Sequence, residues 1–130
     1  MDIVIDASAI LAVIVAEPER DRIVGITEGH ILIGPGSIPW EIGNAFSSML
    51  KQKRFKVAEA VQGLAIFQSV PIRYLAVDME RALSIADSEN LYAYDAYFLE
   101  CALRYAAPLL TLDRRLSQAA EKIGVHVLEV

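Results

Sequence analysis

The chain contains few of the residues that form disulfides or zinc sites. A single cysteine, Cys101, among 130 residues excludes an internal disulfide and favours a reducing compartment. Cys101 lies in an apolar stretch with helical spacing, so we interpret it as a small core residue rather than a nucleophile. The two histidines, His30 and His126, are both expected at the surface. Neither a disulfide scaffold nor a zinc enzyme is indicated.

Long hydrophobic runs are also missing. The longest apolar stretch, residues 7–16, is far shorter than the roughly 20 residues that span a bilayer. No basic residue precedes Arg20, and Asp2 and Asp6 interrupt the apolar start, so the pattern of a secretory signal is absent. We therefore expect a soluble cytoplasmic protein with no membrane partner.

An excess of positive charge is the third absence. The chain has 17 acidic and 12 basic residues and a formal net charge of −5, which argues against tight, non-specific coating of DNA. An acidic balance is compatible with a metal-centred site, because bound cations neutralise carboxylates. The hydrophobic content of 55% is that of a packed domain and not of a disordered chain.

Short apolar runs alternate with amphipathic stretches along the whole chain. The runs are typical of strands buried on both faces, and the stretches have the spacing of helices. Strands are predicted over residues 3–5, 31–33, 72–75, 109–112 and 125–130, and helices over 9–16, 19–28, 57–69, 78–89, 94–105 and 114–123, with a turn at Gly34-Pro35-Gly36 and a long helix that begins near Ser37. This alternation predicts one domain over residues 1–130, a three-layer α/β/α sandwich around a short parallel sheet of four to five strands.

Four acidic residues form a candidate site in this arrangement. Asp6 ends the first strand, Asp113 directly follows the fourth, and Glu41 and Asp95 lie in the first turns of two helices. Ligands of open α/β sheets bind outside the carboxyl ends of the strands, where parallel strands would gather all four acids. Carboxylates without cysteine or a histidine cluster favour Mg²⁺ or Mn²⁺ over zinc.

Helix capping is the alternative explanation of these acids. Taken singly, Asp113 is explained better as a cap, and Glu41 as a complement of its helix dipole. Asp95 shares a helical face with apolar residues, and Asp6 ends an apolar strand that no basic residue precedes, so both are expected to be partly buried. Because buried charge is costly unless it is paired or bound to metal, the four acids together favour the metal site.

Small polar residues accompany the acids, and basic residues occur in two places. Ser8, Asn44 and Thr111 lie close to an acid in sequence and are expected to orient carboxylates and water, or to serve as local backbone caps. Arg114 and Arg115 directly follow Asp113 and are the better candidates for phosphate contact. The second basic run, whose alternative role is to complement a helix C-terminus, comprises Lys51, Lys53, Arg54 and Lys56.

The same residues carry a resemblance to a known family. The first two segments that resemble motifs of PIN-domain ribonucleases are Asp6-Ala7-Ser8-Ala9 and Pro39-Trp40-Glu41-Ile42-Gly43-Asn44-Ala45. The segments that resemble the third and fourth motifs are Tyr94-Asp95-Ala96 and Leu110-Thr111-Leu112-Asp113-Arg114-Arg115-Leu116. In its length and in the residues of its motifs, the chain most resembles VapC-type toxins of toxin–antitoxin pairs. Residues 17–37 and 54–74 have no comparable signature.

The resemblance implies an α/β/α fold and an endoribonuclease that depends on one or two Mg²⁺ or Mn²⁺ ions. By position, Asp6, Glu41, Asp95 and Asp113 would form the acidic site, assisted by Ser8 and Thr111. In the toxin branch it also implies a small antitoxin that silences the enzyme, and a homodimer. The run of residues 10–15 separately favours self-association, because it is apolar nearly all round.

The reaction predicted from the ligand set is RNA cleavage by metal-activated water, because no histidine pair is available to activate a ribose 2′-hydroxyl. Such cleavage leaves 3′-hydroxyl and 5′-phosphate ends. One alternative is a phosphoryl-transfer enzyme with Asp6 as an acyl-phosphate nucleophile, which the absence of lysine before Lys51 disfavours. The others are a non-catalytic PIN-like binding module and a PIN nuclease of RNA processing or decay that has no toxin role.

Overall fold

The fold is built from seven helices and four short strands. The computed structural model describes residues 1–130. In chain order, the elements are β1 (Asp2–Ile5), α1 (Ala7–Ile14), α2 (Arg20–Thr27), β2 (Ile31–Pro35), α3 (Ile38–Lys51), α4 (Val57–Ser69), β3 (Ile72–Leu75), α5 (Met79–Ser88), α6 (Ala93–Arg104), β4 (Leu109–Leu110) and α7 (Arg114–Lys122).

The four strands form one sheet in the order β3-β2-β1-β4, and every pair is parallel. Crossover helices between parallel strands bury the sheet, which explains why the β1 residues Ile3, Val4 and Ile5 are apolar without alternation and almost fully buried. Helix α6 packs against β1, β2 and β4, while α1 packs against α2, α3 and α4. The predicted α/β/α arrangement around a parallel sheet is confirmed.

The carboxyl-terminal strand pairing is shorter than the sequence predicts. The strand predicted over residues 109–112 ends at Leu110, and the one predicted over residues 125–130 is reduced to a single bridge between Leu109 and Val127. The ladder ends at Leu110 because its partner strand β1 ends at Ile5, and the next residue, Asp6, already caps α1. Two backbone hydrogen bonds hold the last segment in place: Leu109 N donates to the His126 carbonyl, and Leu128 N donates to the Leu109 carbonyl.

The turn predicted at Gly34-Pro35-Gly36 begins two residues later in the structure, because β2 continues through Pro35. Gly34 and Pro35 belong to β2, where they pair with Tyr74 and Leu75 of β3. Pairing of β2 with β1 ends before them, at Ile33. Proline lacks an N–H group, so it is tolerated at the end of a strand where one neighbour is already absent.

The single cysteine and both histidines lie where the sequence predicts. Cys101 is fully buried in α6, and burial, together with the neighbouring Glu100 carboxylate, raises the pKa of its thiol to about 12. His30 and His126 are exposed. No helix combines the length and apolarity needed to cross a bilayer.

The apolar residues of α1 find partners within the same chain. Ile10 and Ala12 are buried, and the half-buried Leu11, Val13 and Ile14 pack against the core. These contacts account for the apolar run at residues 10–15 without a second copy of the chain. Self-association therefore stays a prediction.

Gly63 lies at the close approach of three helices. A Cβ atom added there would lie 2.8 Å from Cζ of Phe46 in α3 and 3.3 Å from Cγ2 of Ile14 in α1. Because both neighbours are packed in the core, we expect Gly63→Ala to destabilise the protein by about 1–3 kcal/mol.

Gly25→Ala is the matched control in this test. Gly25 lies inside α2 and has no atom within 4 Å of an added Cβ, so the same change should stabilise the protein by about 0.5–1 kcal/mol. Urea unfolding of both variants measures the difference. Equal stabilisation by both changes would contradict the close packing of α1, α3 and α4.

Candidate active site

Asp6 stands at the carboxyl end of the central strand β1 and begins α1. Its side chain is only 5% exposed. One carboxylate oxygen, Oδ1, accepts from the Ser8 hydroxyl at 2.7 Å and from the Ala9 N–H at 3.1 Å. The other, Oδ2, accepts from the Thr111 hydroxyl at 2.5 Å. Neutral donors surround the carboxylate, and none of its hydrogen bonds comes from a cation.

Ser8 and Thr111 also connect the two turns on which the acids lie. The Ser8 hydroxyl accepts from the Leu112 N–H at 3.0 Å, and the Thr111 hydroxyl accepts from the Asp113 N–H at 3.0 Å. Each hydroxyl therefore donates to Asp6 while it holds backbone of the turn between β4 and α7. The contacts of Ser8 and Thr111 with Asp6 are those expected of residues that orient a carboxylate.

Burial dominates the electrostatics of Asp6. Desolvation raises the pKa of its carboxyl group, the hydrogen bonds from Thr111, Ser8 and Ala9 oppose that rise, and the Asp113 carboxylate adds to it. A buried acid without a cationic partner has an unfavourable charged form. A cation bound beside Asp6 would stabilise the charged form of the carboxylate.

Glu41 lies in the first turn of α3, which begins after Ser37 and carries Pro39 near its start. The Ser37 hydroxyl donates to Oε2 of Glu41 at 2.8 Å. Burial raises the pKa of Glu41 to about 7 against the effect of that hydrogen bond, and the carboxylates of Asp6 and Asp95 raise it further. Glu41 is therefore close to half protonated at neutral pH in the absence of a cation.

Asp95 and Asp113 complete the group from the other side. Asp95 lies half-buried in the first turn of α6 and accepts no hydrogen bond from any residue. Burial and the Asp113 carboxylate raise its pKa, while the Arg115 guanidinium lowers it. Asp113 caps α7, and its Oδ1 accepts from the N–H groups of Arg115 at 2.9 Å and Leu116 at 3.2 Å.

Repulsion links the four acids pairwise into a ring: Asp6 with Asp113, Asp6 with Glu41, Glu41 with Asp95, and Asp95 with Asp113. They do not form a closed cage, since no three His, Cys, Asp or Glu side chains lie close enough together to hold one ion. Mg²⁺ usually binds through one or two carboxylates and keeps several waters. The oxygen donors and their mutual repulsion therefore fit a hydrated Mg²⁺ or Mn²⁺ better than zinc.

Capping and the acidic cluster are not exclusive explanations. Asp6 and Asp113 both cap helices with a side-chain oxygen, as the alternative reading of the sequence predicts. Asp78 caps α5 in the same way through the Arg81 N–H, but no repulsion links it to the four acids. Asp78 is thus a capping aspartate outside the cluster and a natural control for Asp113.

The basic residues are divided by the fold. The Arg115 guanidinium donates to the Asn90 carbonyl at 2.6 Å, which fixes it beside the start of α6. Arg114 is exposed and lines a surface cavity together with Thr111 and Asp113. The second run lies at the far end of α3, where Lys51 is about 15 Å along the helix axis from Glu41. The structure does not bring Lys51, Lys53 or Arg54 into the acidic group.

Both histidines lie at the opposite edge of the sheet. The imidazole of His30, which immediately precedes β2, is 3.4 Å from the amino terminus, and the His126 carbonyl accepts from Leu109 at the start of β4. The four acids follow the carboxyl ends of the strands instead. No imidazole is therefore placed to take a proton near them.

Of the residues that border Glu41, the sequence analysis predicted a role for Asn44 but none for Ser37, Trp40 or Tyr94. Ser37 precedes Glu41 by one helical turn, and this spacing alone could have indicated their hydrogen bond. A cavity of about 520 Å³ beside Glu41 is lined by Trp40, Asn44 and Tyr94 as well. Asn44 makes no hydrogen bond to any of the acids, so its predicted role of orienting them has no counterpart in the structure.

Comparison with known proteins gives one family and two similar structures. Residues 3–122 match the family model of the PIN domain. PAE2754 from Pyrobaculum aerophilum is similar at 22% identity and a TM-score of 0.71, over 95% of this chain and 86% of that chain. A second similar structure is VapBC2 from Rickettsia felis bound to a DNA fragment from its promoter. It has 14% identity and a TM-score of 0.65, over 99% of this chain and 98% of that chain. These identities support the fold alone, and no curated protein gives a significant match.

The raised pKa of Glu41 predicts a stability that falls with pH in metal-free protein. Unfolded glutamate ionises near 4.5, whereas folded Glu41 keeps its proton up to about pH 7, so the folded state binds more protons between these values. The melting temperature should fall as the pH rises through that window, and Glu41→Gln should flatten the fall. Thermal melts in EDTA across the window measure both slopes. A wild-type curve that rises there would contradict the environment of Glu41.

Asp95 and Asp6 should respond unequally to loss of charge. Asp95→Asn removes repulsion and no hydrogen bond, so the metal-free variant should melt a few degrees higher, the effect of about 1 kcal/mol. Asp6→Asn places an amide where two hydroxyls and one N–H already donate, so it should gain less or lose stability. Melts of the two variants in EDTA test this, and a lower melting temperature for Asp95→Asn would exclude repulsion at that residue.

Proposed function

This chain belongs to the PIN-domain family, and from that premise we propose that it is a Mg²⁺- or Mn²⁺-dependent endoribonuclease. The family resemblance that the motifs predict is confirmed, and PIN domains are generally nucleases. The observation that carries the proposal is the placement of four acids at the carboxyl edge of the sheet, each at the start of a helix, with Asp6 5% exposed and bonded to no cation.

Asp6, Glu41, Asp95 and Asp113 are the proposed metal ligands, and they would hold one or two hydrated ions, with no more than two carboxylates in direct contact with one ion. The ion would supply Lewis acidity that activates water and neutralises charge growing on the phosphate. Ser8 and Thr111 keep Asp6 in place through their hydrogen bonds, and Ser37 does the same for Glu41. Arg114 is the free cation closest in sequence to the ligands and is proposed to contact the RNA backbone.

Water is the proposed nucleophile. Attack by the ribose 2′-hydroxyl with a histidine pair as general base and acid is disfavoured, because both histidines lie at the other edge of the sheet. Cleavage by water leaves 3′-hydroxyl and 5′-phosphate ends. The distribution of imidazoles supports this choice over a cyclic phosphate product.

An acyl-phosphate mechanism at Asp6 is disfavoured by the contacts of its carboxylate. Both oxygens already accept hydrogen bonds, and the side chain is 5% exposed. Attack on phosphorus needs room for a whole phosphoryl group beside the attacking oxygen, which a nearly buried carboxylate does not offer, whereas a cation needs only the remaining lone pair of Oδ2. The same contacts suit a carboxylate whose remaining lone pairs bind a cation.

We propose further that the enzyme is the toxin of a toxin–antitoxin pair, acting in the cytoplasm as a homodimer that a small antitoxin silences. The residues of the four motifs support this assignment, and so does a fold similar to that of VapBC2 from Rickettsia felis. The alternatives are a PIN nuclease of RNA processing or decay and a non-catalytic module. Retention of all four acids disfavours the last. A neighbouring reading frame for a small DNA-binding protein would support the toxin role over RNA processing.

The experiment that tests the proposed activity compares two capping aspartates. Asp113→Asn and Asp78→Asn both keep an N-cap, because asparagine caps almost as well as aspartate, but only Asp113 belongs to the ring. We expect Asp113→Asn to lower RNA cleavage at least 100-fold and Asp78→Asn to leave it within about twofold. EDTA should abolish cleavage, and Mn²⁺ should restore it.

End-labelling of the fragments decides the chemistry in the same assay. Fragments with 5′-phosphate ends support attack by water, and cyclic 2′,3′-phosphate ends would refute it. Full activity in EDTA that Asp113→Asn abolishes would refute the metal site. Full activity in EDTA that Asp113→Asn retains would identify a contaminating ribonuclease. Equal loss of activity in both asparagine variants would show that the effect does not depend on membership of the acidic ring, and would contradict the proposed role of Asp113.

A further inference from the structure

Aromatic side chains border the acidic ring on one side only. Trp40 and Tyr94 each precede one of the four acids, Glu41 and Asp95, by one residue. Together with Asn44, they and Glu41 line the cavity of about 520 Å³. This volume lies within the roughly 300–1,000 Å³ of typical small-molecule sites.

Trp40 is far more exposed than a structural tryptophan. It is 74% exposed, although α3 buries four of its other apolar residues. It also lines a second cavity, of about 460 Å³, on which Leu75, Met79 and Tyr97 border. Trp40 thus borders both cavities. Tyr94 lines the first cavity and Tyr97 the second, and their rings pack edge to face with centroids 5.8 Å apart.

Single exposed apolar residues are common and need no functional explanation. The cavity beside Glu41 differs because two aromatic rings and an uncommitted amide converge on it. Asn44 lies one helical turn beyond Trp40 on α3 and is exposed, and its side-chain amide makes no hydrogen bond in the structure. A free amide can both donate and accept, which matches the edge of a nucleobase.

The charges divide the two regions by the parts of a nucleotide they suit. The acidic ring can approach a phosphate only through a cation, whereas Trp40, Tyr94 and Asn44 carry no charge. Bases stack on aromatic side chains, and unpaired bases expose edges for hydrogen bonding. The cavity therefore suits the neutral base of a nucleotide whose phosphate lies at the ring.

We propose that this cavity binds an unpaired nucleobase next to the cleaved phosphate, stacked on Trp40 and bordered by Tyr94, with Asn44 contacting the base edge. The inference rests on the proposed ribonuclease activity and adds to it the residues that would recognise one base of the substrate. A base in a duplex is not available for such stacking. The enzyme should therefore cleave single-stranded RNA and discriminate among bases at this position.

Trp40 itself reports on the site, because it is the only tryptophan of the chain. Titration of wild-type protein in EDTA with a short single-stranded RNA should quench its fluorescence in a saturable way. An oligomer of the same length that lacks bases, and a blunt duplex, should quench much less. Equal quenching by the base-free oligomer would overturn stacking.

Cleavage kinetics supply the second readout. Trp40→Ala should lower kcat/KM by about 5- to 150-fold, the range measured for loss of one stacked base. Trp40→Phe should retain most activity, and the melting temperature should not change, since the indole is exposed. Tyr92→Ala is the matched control: Tyr92 is 82% exposed, lies two residues from Tyr94 and does not line the cavity. Its activity should stay at the wild-type level.

Asn44→Asp tests the base contact, because a carboxylate only accepts hydrogen bonds. The change should alter the ratio of kcat/KM values among substrates that differ in one base, and an unaltered ratio would overturn the role of Asn44. Wild-type kcat/KM in Trp40→Ala would refute the base site while leaving the ribonuclease proposal intact. Quenching without any cleavage would support the base site and refute the activity.

Discussion

Removal of the Asp6 carboxylate from water is the constraint around which the carboxyl edge of the sheet is arranged. A buried carboxylate is tolerated only when donors replace its hydration. Here the donors come from two distant parts of the sequence: Ser8 and Ala9 follow β1, and Thr111 follows β4. The position of one acid therefore depends on the junction between the first and last parallel strands.

The same hydroxyls also hold the backbone that follows β4. The β1–β4 ladder ends at the pair Ile5–Leu110, because Asp6 begins α1. Beyond that pair, the Ser8 hydroxyl accepts from Leu112 N and the Thr111 hydroxyl accepts from Asp113 N, which places Asp113 at the start of α7. Two side chains that satisfy the buried Asp6 charge therefore also position a second acid of the site.

Much of this arrangement follows from the sequence. Continuous apolar runs predict the buried parallel strands, and acids placed after those runs lie at one edge because parallel strands share their direction. Asp6 and Thr111 are separated by 105 residues, and no local pattern reports their contact. Strand length at β4, the position of Pro35 within β2 and the cavity at Trp40 depend on such long-range contacts, so local periodicity does not predict them. The hydrogen bond between Ser37 and Glu41 is local and was open to prediction.

The fully buried thiol of Cys101 has a practical consequence for spectroscopy. Only the thiolate reacts readily with maleimides or nitroxide reagents, and a pKa near 12 leaves almost none of it at neutral pH. The natural chain is therefore already suited to single-site labelling. A cysteine introduced at an exposed position such as Gln118 would be the one reactive thiol. If two exposed cysteines were introduced, the distance between their labels could be measured without first replacing Cys101 in the core.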